Sequence, residues 1–310
     1  MTPSFSFSIA IHSTPSRGPR GSRFASAKQP GCGKIIMKNL QDTVAIVTGA
    51  GRGIGRQIAM EQALRGAKVC LISRTRSEID QVAAEIVAQG GTALALTLDV
   101  TDGEAAQQVI AEASAALGPI DLLVNNHGSF QAFGPIWECD PQEWWEDVEI
   151  NLRGTFHTCR AVAPSMLERG RGRIVNLVGG GTGNSFPHGS GYASSKAGIM
   201  RFTECLNDTT KASGALAFAV DPGLVRTKLT ELQLNSPSGK TFLPEIETMF
   251  AKGVDVSPTL AAGLIADIAS GRFDKLAGRM LQAVDDLDRL EADMAAIVAQ
   301  DLRSLRITGQ

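Results

Sequence analysis

Tyr192 and Lys196 stand four residues apart in Tyr192-Ala193-Ser194-Ser195-Lys196, and Tyr192 is the single tyrosine of the 310-residue chain. On a helix that spacing places both side chains on one face. An ammonium beside a phenol favours the phenolate and lowers its pKa from about 10. The pair could then pass a proton near neutral pH. A second constellation is Thr48-Gly49-Ala50-Gly51-Arg52-Gly53-Ile54-Gly55. It follows the apolar run Val44-Ala45-Ile46-Val47 and precedes Arg56 to Arg65, which reads as a helix. Strand, glycine turn and helix in that order form the setting in which glycines cradle a dinucleotide diphosphate. Glycine permits the tight turn, and the helix N-terminus offers N–H groups and partial positive charge.

The elements that must position these residues alternate from residue 43 onward. Thr43–Thr48, Lys68–Ser73, Ala93–Leu98, Asp121–Asn125, Arg173–Val178 and Ala215–Val220 read as six short buried strands. Helical patterns lie between them at Gly53–Arg65, Ser77–Gln89, Gly103–Leu117, Gln142–Glu168 and Gly191–Ala212. Regular alternation implies parallel strands, right-handed crossovers and helices on both faces. The expected fold class is α/β, a doubly wound, mostly parallel sheet in a single domain. Residues 228–252 interrupt the pattern after the sixth strand, where ligands sit in such sheets, and read as a lid. Asp285 to Ile307 reads as one amphipathic helix, with Leu287, Leu290, Met294, Ile297 and Leu305 near a common stripe.

Composition narrows the class. A net charge of -2 gives no global attraction to nucleic acid or anionic membrane. No apolar run reaches the ~20 residues of a membrane span. Cys32, Cys70, Cys139, Cys159 and Cys205 show neither pairing nor metal spacing, and His12, His127, His157 and His188 show no ligand spacing. Residues 1–36 hold no Asp or Glu, and set Arg17, Arg20, Arg23, Lys28 and Lys34 among Ser, Gly and Pro. That composition predicts a disordered extension. It suits an organellar transit peptide, an extension without function, or an upstream start preceding Met37. The expected division is an extension over 1–36, the main domain over 37–284 and a helical extension over 285–310. The expected compartment is the cytoplasm, or an organelle if 1–36 directs import.

Together these motifs resemble the short-chain dehydrogenase/reductase family over about residues 40 to 284. The cofactor motif of that family is matched by Gly49, Gly53 and Gly55, with Gly51, Arg52 and Ile54 between them. Asp99 and Val100 follow the third strand, where the family contacts adenine. Asn125-Asn126-His127-Gly128 is similar to the family turn after strand four, with His127 in place of the usual Ala. Asn151 corresponds to an Asn that holds a water in a proton relay, and Tyr192 and Lys196 to the catalytic pair. Pro222, Gly223, Val225 and Thr227 correspond to the segment beside the nicotinamide. The resemblance implies a Rossmann fold and hydride exchange between a nicotinamide cofactor and a small-molecule carbonyl or alcohol. It also implies a homodimer or homotetramer built across the long helices.

Two positions set this chain apart. Strand two ends in Ser73-Arg74, without the acid that bonds a ribose 2′-hydroxyl, and Arg52 lies in the glycine turn. Two guanidinium groups with no carboxylate suit a 2′-phosphate, so the expected cofactor is NADP(H) rather than NAD(H). The family also places a Ser about thirteen residues before the Tyr, which stabilises charge on the substrate oxygen. Here Val178 and Gly179 occupy the two candidate positions, and neither carries a hydroxyl. Thr182 or Ser185 could supply one, with Thr182 preferred; Asn184 or His188 could bond the substrate instead. The remaining alternative is a protein that holds NADP(H) with little redox turnover.

Overall fold

The computed structural model describes residues 39–307. The extension over 1–36, and its reading as disordered or as a transit peptide, lies outside these residues. Seven parallel strands form one sheet: β1 (Val44–Thr48), β2 (Lys68–Ser73), β3 (Thr92–Thr97), β4 (Leu122–Asn125), β5 (Gly172–Leu177), β6 (Ala215–Asp221) and β7 (Met280–Gln282). Their spatial order is β3-β2-β1-β4-β5-β6-β7. Every residue of β1 is buried, as a strand covered on both faces requires. One face of the sheet carries Ile58 of α1 (Gly53–Leu64), Ile79 of α2 (Arg76–Ala88) and Ile265 of α10 (Pro258–Ala269) in one apolar cluster. On the other, Ile110 of α3 (Gly103–Leu117) and Cys159 and Met166 of α5 (Gly154–Arg169) join a second cluster. This is the Rossmann-type doubly wound sheet.

Strand order reverses between β1 and β4, so their carboxyl ends diverge and open a crevice. The glycine turn leaves β1 there, and Asn125 to Gly128 leave β4 there.

The structure differs from the sequence reading in four places. The expected helix Gln142–Glu168 is three pieces: α4 (Pro141–Val148), a π-helical turn (Glu149–Arg153) and α5. No Pro or Gly precedes the widened turn to announce it. The last expected helix, Asp285–Ile307, is shorter, α11 (Leu287–Ala299). Asp301 and Arg303 then take left-handed backbone, with φ of 51° and 63°. The chain reverses, and Leu305 leaves the helix stripe to pack near Val178 and Met280. The interruption after β6 is three short helices, α7 (Lys228–Asn235), α8 (Pro237–Phe242) and α9 (Pro244–Ala251). Finally, β7 and α10 went unread, because Met-Leu-Gln is too short for a periodic signal and α10 is apolar on most sides.

The outer edge of β7 is covered. The Met280 N–H donates to the Arg303 carbonyl at 2.9 Å, and the Gln282 N–H donates to Asp285 Oδ2 at 2.9 Å. Arg303 in turn pairs with Asp285 at 2.7 Å. Leu290 and Ile297 of α11 belong to the main core. Among the described residues, no helix is long and apolar enough to cross a membrane.

Candidate active site

At the crevice, Gly49 and Gly53 adopt φ of 62° and 53°, which turn the chain sharply off β1 and into α1. The residue preceding α1, Arg52, makes no side-chain cap, so the first N–H groups of the helix face outward. Such an uncapped turn could cradle an anionic diphosphate. Asn126 braces it, donating from Nδ2 to the carbonyls of Thr48 (2.9 Å) and Gly49 (3.2 Å). Ile54 packs against the core, and Val100 and Val225 are buried. Thr227 caps α7 and lies beside Gly53, which brings the segment after Pro222 and Gly223 over the turn.

Asp99 accepts from the Thr101 N–H (3.0 Å) and hydroxyl (2.8 Å). Burial raises its pKa, but these bonds and nearby Arg74 outweigh it and hold the carboxyl below its usual value. The Ser73 hydroxyl accepts from the Thr75 N–H at 3.2 Å. One premise of the cofactor argument is overturned. Arg52 does have a carboxylate beside it: Glu78 of α2 pairs with Arg52 at 2.9 Å and with Lys228 at 3.4 Å. The sequence separation of Glu78 from the glycine turn hid this. Arg74 is exposed at the end of β2. Asn125 also faces inward. Its amide donates to Asn176 at 2.9 Å and accepts from Thr158 at 2.7 Å, tying β4 to β5 and α5.

Tyr192 and Lys196 share α6 (Ser190–Thr210), with Lys196 Nζ 5.5 Å from the phenol ring centre. Lys196 donates to the Leu177 carbonyl at 3.0 Å, at the end of β5. Burial drops its pKa to about 8, with Asp221 opposing the fall. The expected lowering of the phenol pKa is reversed. Burial pushes Tyr192 well above its ordinary value, and the carboxylates of Asp221 and Asp147 push the same way. Desolvation of the phenolate exceeds what a lysine bonded elsewhere returns. Asn151 sits in the π-helical turn, accepts from the Ser129 N–H at 2.7 Å and donates to Ser195 Oγ at 2.9 Å. A side chain begun at Gly128 would lie 3.2 Å from Asn151 Oδ1 and 3.7 Å from Lys196 Nζ, so both line the same small space.

The loop carrying the missing hydroxyl is also resolved. A Cβ built at Gly179 would lie 2.7 Å from Tyr192 Oη, so the phenol fills the space of a side chain there. Thr182, the preferred substitute, does not point to the phenol. Its hydroxyl donates to the Gly179 carbonyl (2.6 Å) and accepts from the Gly179 N–H (3.2 Å), closing a short turn. His127 Nδ1 lies 2.7 Å from Thr48 Oγ1, and its Nε2 is buried without a hydrogen-bond partner. Burial and then Lys196 drop this imidazole to about 3, so it is neutral.

Sequence reasoning missed Phe130, Phe133 and Asp147. Phe130 stacks on Tyr192, with ring centres 4.5 Å apart and planes 16° apart. Phe133 and Phe186, with Leu229, Leu234, Leu243, Ile246 and Phe250 of the inserted segment, complete an apolar cluster around them. The only available signal was the aromatic pair Phe130 and Phe133 just after β4.

Sheet order, glycine turn and helix-borne Tyr–Lys pair together define a Rossmann-type oxidoreductase fold. Comparison with known proteins agrees. The short chain dehydrogenase family matches residues 43–236. The short chain dehydrogenase citE of Monascus ruber is 35% identical over 268 residues, which are 84% of this chain and 87% of that one. A 3-oxoacyl-acyl-carrier-protein reductase of Synechocystis is 35% identical over 211 residues, 67% of this chain and 84% of that one. Among solved structures, a gluconate 5-dehydrogenase of Burkholderia cenocepacia in complex with NADP and tartrate superposes with a TM-score of 0.71. It is 26% identical and covers 80% of this chain and 96% of its own. A variant actinorhodin polyketide ketoreductase with NADPH gives 0.70 at 29% identity, over 77% and 95%. The chain belongs to the short-chain dehydrogenase family.

Proposed function

We propose that this chain is an NADP(H)-dependent oxidoreductase acting on a small carbonyl or alcohol, with Tyr192 as general acid and base. The observation that carries this reading is the meeting of Tyr192, Lys196 and Asn151 at the same sheet edge as the uncapped α1 turn. Structural relatives solved with NADP or NADPH support the cofactor.

The residues fit a dinucleotide. Gly49, Gly51, Gly53 and Gly55 with the N–H groups of α1 would hold the diphosphate. Arg74, and Arg52 if released from Glu78, would hold a 2′-phosphate. Asp99 and Val100 would border the adenine, and Pro222, Gly223, Val225 and Thr227 the nicotinamide. A nicotinamide cofactor bound there supplies or accepts the hydride. Tyr192 gives the carbonyl oxygen its proton, and takes it back in the reverse direction. Lys196, cationic below its pKa of about 8, would bond the ribose and favours the phenolate left behind. Asn151 would hold a relay water for Lys196 in the small space beside Gly128 that the two residues share. The aromatic and aliphatic cluster around Tyr192 supports an apolar substrate over a charged one.

One observation favours a second reading, dinucleotide binding with little turnover. Val178 and Gly179 have no hydroxyl, and that of Thr182 is engaged with Gly179. Losing one donor to a developing oxyanion costs about 10²–10³ in rate. NADPH consumption over a panel of ketones decides between them. Turnover abolished by Tyr192→Phe, with NADPH affinity retained, supports the reductase. Tight NADPH binding with no turnover on any ketone or alcohol supports the binding protein.

The long-helix face supports self-association. Trp145, Val148, Leu152, Phe156, Gly198 and Phe202, with Glu149 and Arg153, line a mostly apolar groove of about 730 Å³ between α4, the π-helical turn, α5 and α6. We assign it to a second copy of the chain.

A further inference from the structure

Asp147 is a fully buried acid on α4. Burying a carboxylate is costly unless its oxygens are bonded. Here every bond comes from one loop. Oδ1 accepts from the Ser129 hydroxyl at 2.7 Å and from the Gln131 N–H at 3.0 Å. Oδ2 accepts from the N–H groups of Gln131 (2.9 Å) and Ala132 (3.0 Å). Three donor groups of residues 129–132 converge on one side chain, and an apolar residue there would leave them without an acceptor, so the carboxylate has a directional task.

That loop carries Phe130, the ring stacked on Tyr192. Phe133 and Phe186 meet Phe130 edge-on, with ring centres 4.7 and 5.5 Å away, and hold it from turning. The loop is gripped twice from one helical stretch. One turn beyond Asp147, Asn151 accepts from the Ser129 N–H and donates to the Ser129 carbonyl at 2.9 Å. Asn151 also bonds Ser195 Oγ, which donates to the Tyr192 carbonyl at 2.6 Å. The tyrosine is thus fixed by two routes, its backbone through Asn151 and its ring through the loop.

We propose that Asp147 is a positioning residue: by gripping residues 129–132 it holds the Phe130 ring flat against Tyr192 and sets the angle at which the phenol meets a substrate. The importance of that angle rests on the proton-transfer role proposed for Tyr192; the grip itself does not. A misplacement of about 1 Å can cost on the order of 10² in rate, so a side chain remote from the reacting atoms can govern kcat.

Tyr192 is the only tyrosine, so ring-¹³C tyrosine gives one set of aromatic resonances without any turnover. Stacking on Phe130 shifts them upfield in the wild-type chain. Phe130→Leu supplies the unstacked position. Asp147→Asn is expected to move the resonances most of the way there, with methyl signals of the α1 and α10 face unchanged. In the same variant kcat is expected to fall roughly tenfold to 10²-fold, with NADPH affinity within about twofold of wild type. If Asp147→Asn does not fold, Ser129→Ala removes one of the four bonds and must move the resonances in the same direction. A folded Asp147→Asn, or failing that Ser129→Ala, with Tyr192 at its wild-type position overturns the proposal, as does a shift spread over the whole chain. Resonances that move in a protein with no turnover on any substrate would leave the grip standing and remove the proposed reaction.

Discussion

Tyr192 Oη occupies the space that a side chain at position 179 would need; a Cβ built on Gly179 lies 2.7 Å from it. The absence of a hydroxyl at 179 and the close seating of the phenol are therefore one feature. Gly179→Ala is expected to displace Tyr192, to destabilise the fold by about 1–3 kcal/mol and to lower kcat. In a Tyr192→Phe background, which lacks the crowded oxygen, the same substitution should cost clearly less. Urea denaturation of the four proteins checks this. Equal costs in both backgrounds would show that the two residues do not press on each other.

Glu78 holds Arg52 and Lys228 beside the glycine turn. A carboxylate there opposes a 2′-phosphate, so Glu78→Gln is expected to tighten NADPH roughly twofold to fivefold. Arg74→Ala should weaken NADPH about tenfold or more while changing NADH little. Titration calorimetry with both nucleotides measures each effect. Equal loss for NADPH and NADH in Arg74→Ala would remove the 2′-phosphate contact.

His127 is neutral when folded, its pKa dropped to about 3 from an ordinary 6.5. The unfolded chain therefore binds the extra proton first as pH falls. Stability is fully present above about pH 6.5 and is lost progressively toward pH 3. From pH 7 to 5 the wild-type chain should lose about 2 kcal/mol more than His127→Ala. Urea midpoints at the two pH values test the difference, and parallel losses would place the acid sensitivity elsewhere.

Trp145 is 63% exposed and Phe156 46% exposed along one groove. On the reading proposed above, a second copy of the chain covers this exposed aromatic surface. The wild-type chain is expected to sediment as a dimer or tetramer, and Trp145→Glu as a smaller species. A monomeric wild-type chain would reassign the groove.

Much of this architecture was legible because parallel strands buried on both faces leave unbroken apolar runs. All six runs became strands, shifted by at most one residue at either end. The Tyr192–Lys196 pairing was legible for the same kind of reason, since four residues on a helix make one face. Burial was not legible. Whether Lys196 lowers the Tyr192 pKa depends on how much water the phenol keeps, and Phe130 stacked on its ring decides that from a loop sixty-two residues earlier. Partners across the chain were equally hidden: Glu78 beside Arg52 and Asp147 beneath residues 129–132. The π-helical turn that aims Asn151 has no compositional signature at all.

The covering of β7 bears on the behaviour of the protein in concentrated solution. A sheet edge with free N–H groups is a template on which another chain can add a strand and so begin a fibre. Arg303 and Asp285 take up the two outward donors, Met280 and Gln282, and the charges of that pair sit where an incoming strand would have to lie. A chain cut before Arg303 would keep the glycine turn and the Tyr–Lys pair, and Asp285 on the Gln282 N–H, but would free the Met280 donor and break the charge pair at this edge. Its failure would be precipitation over hours rather than loss of chemistry, and light scattering would register it before any assay did.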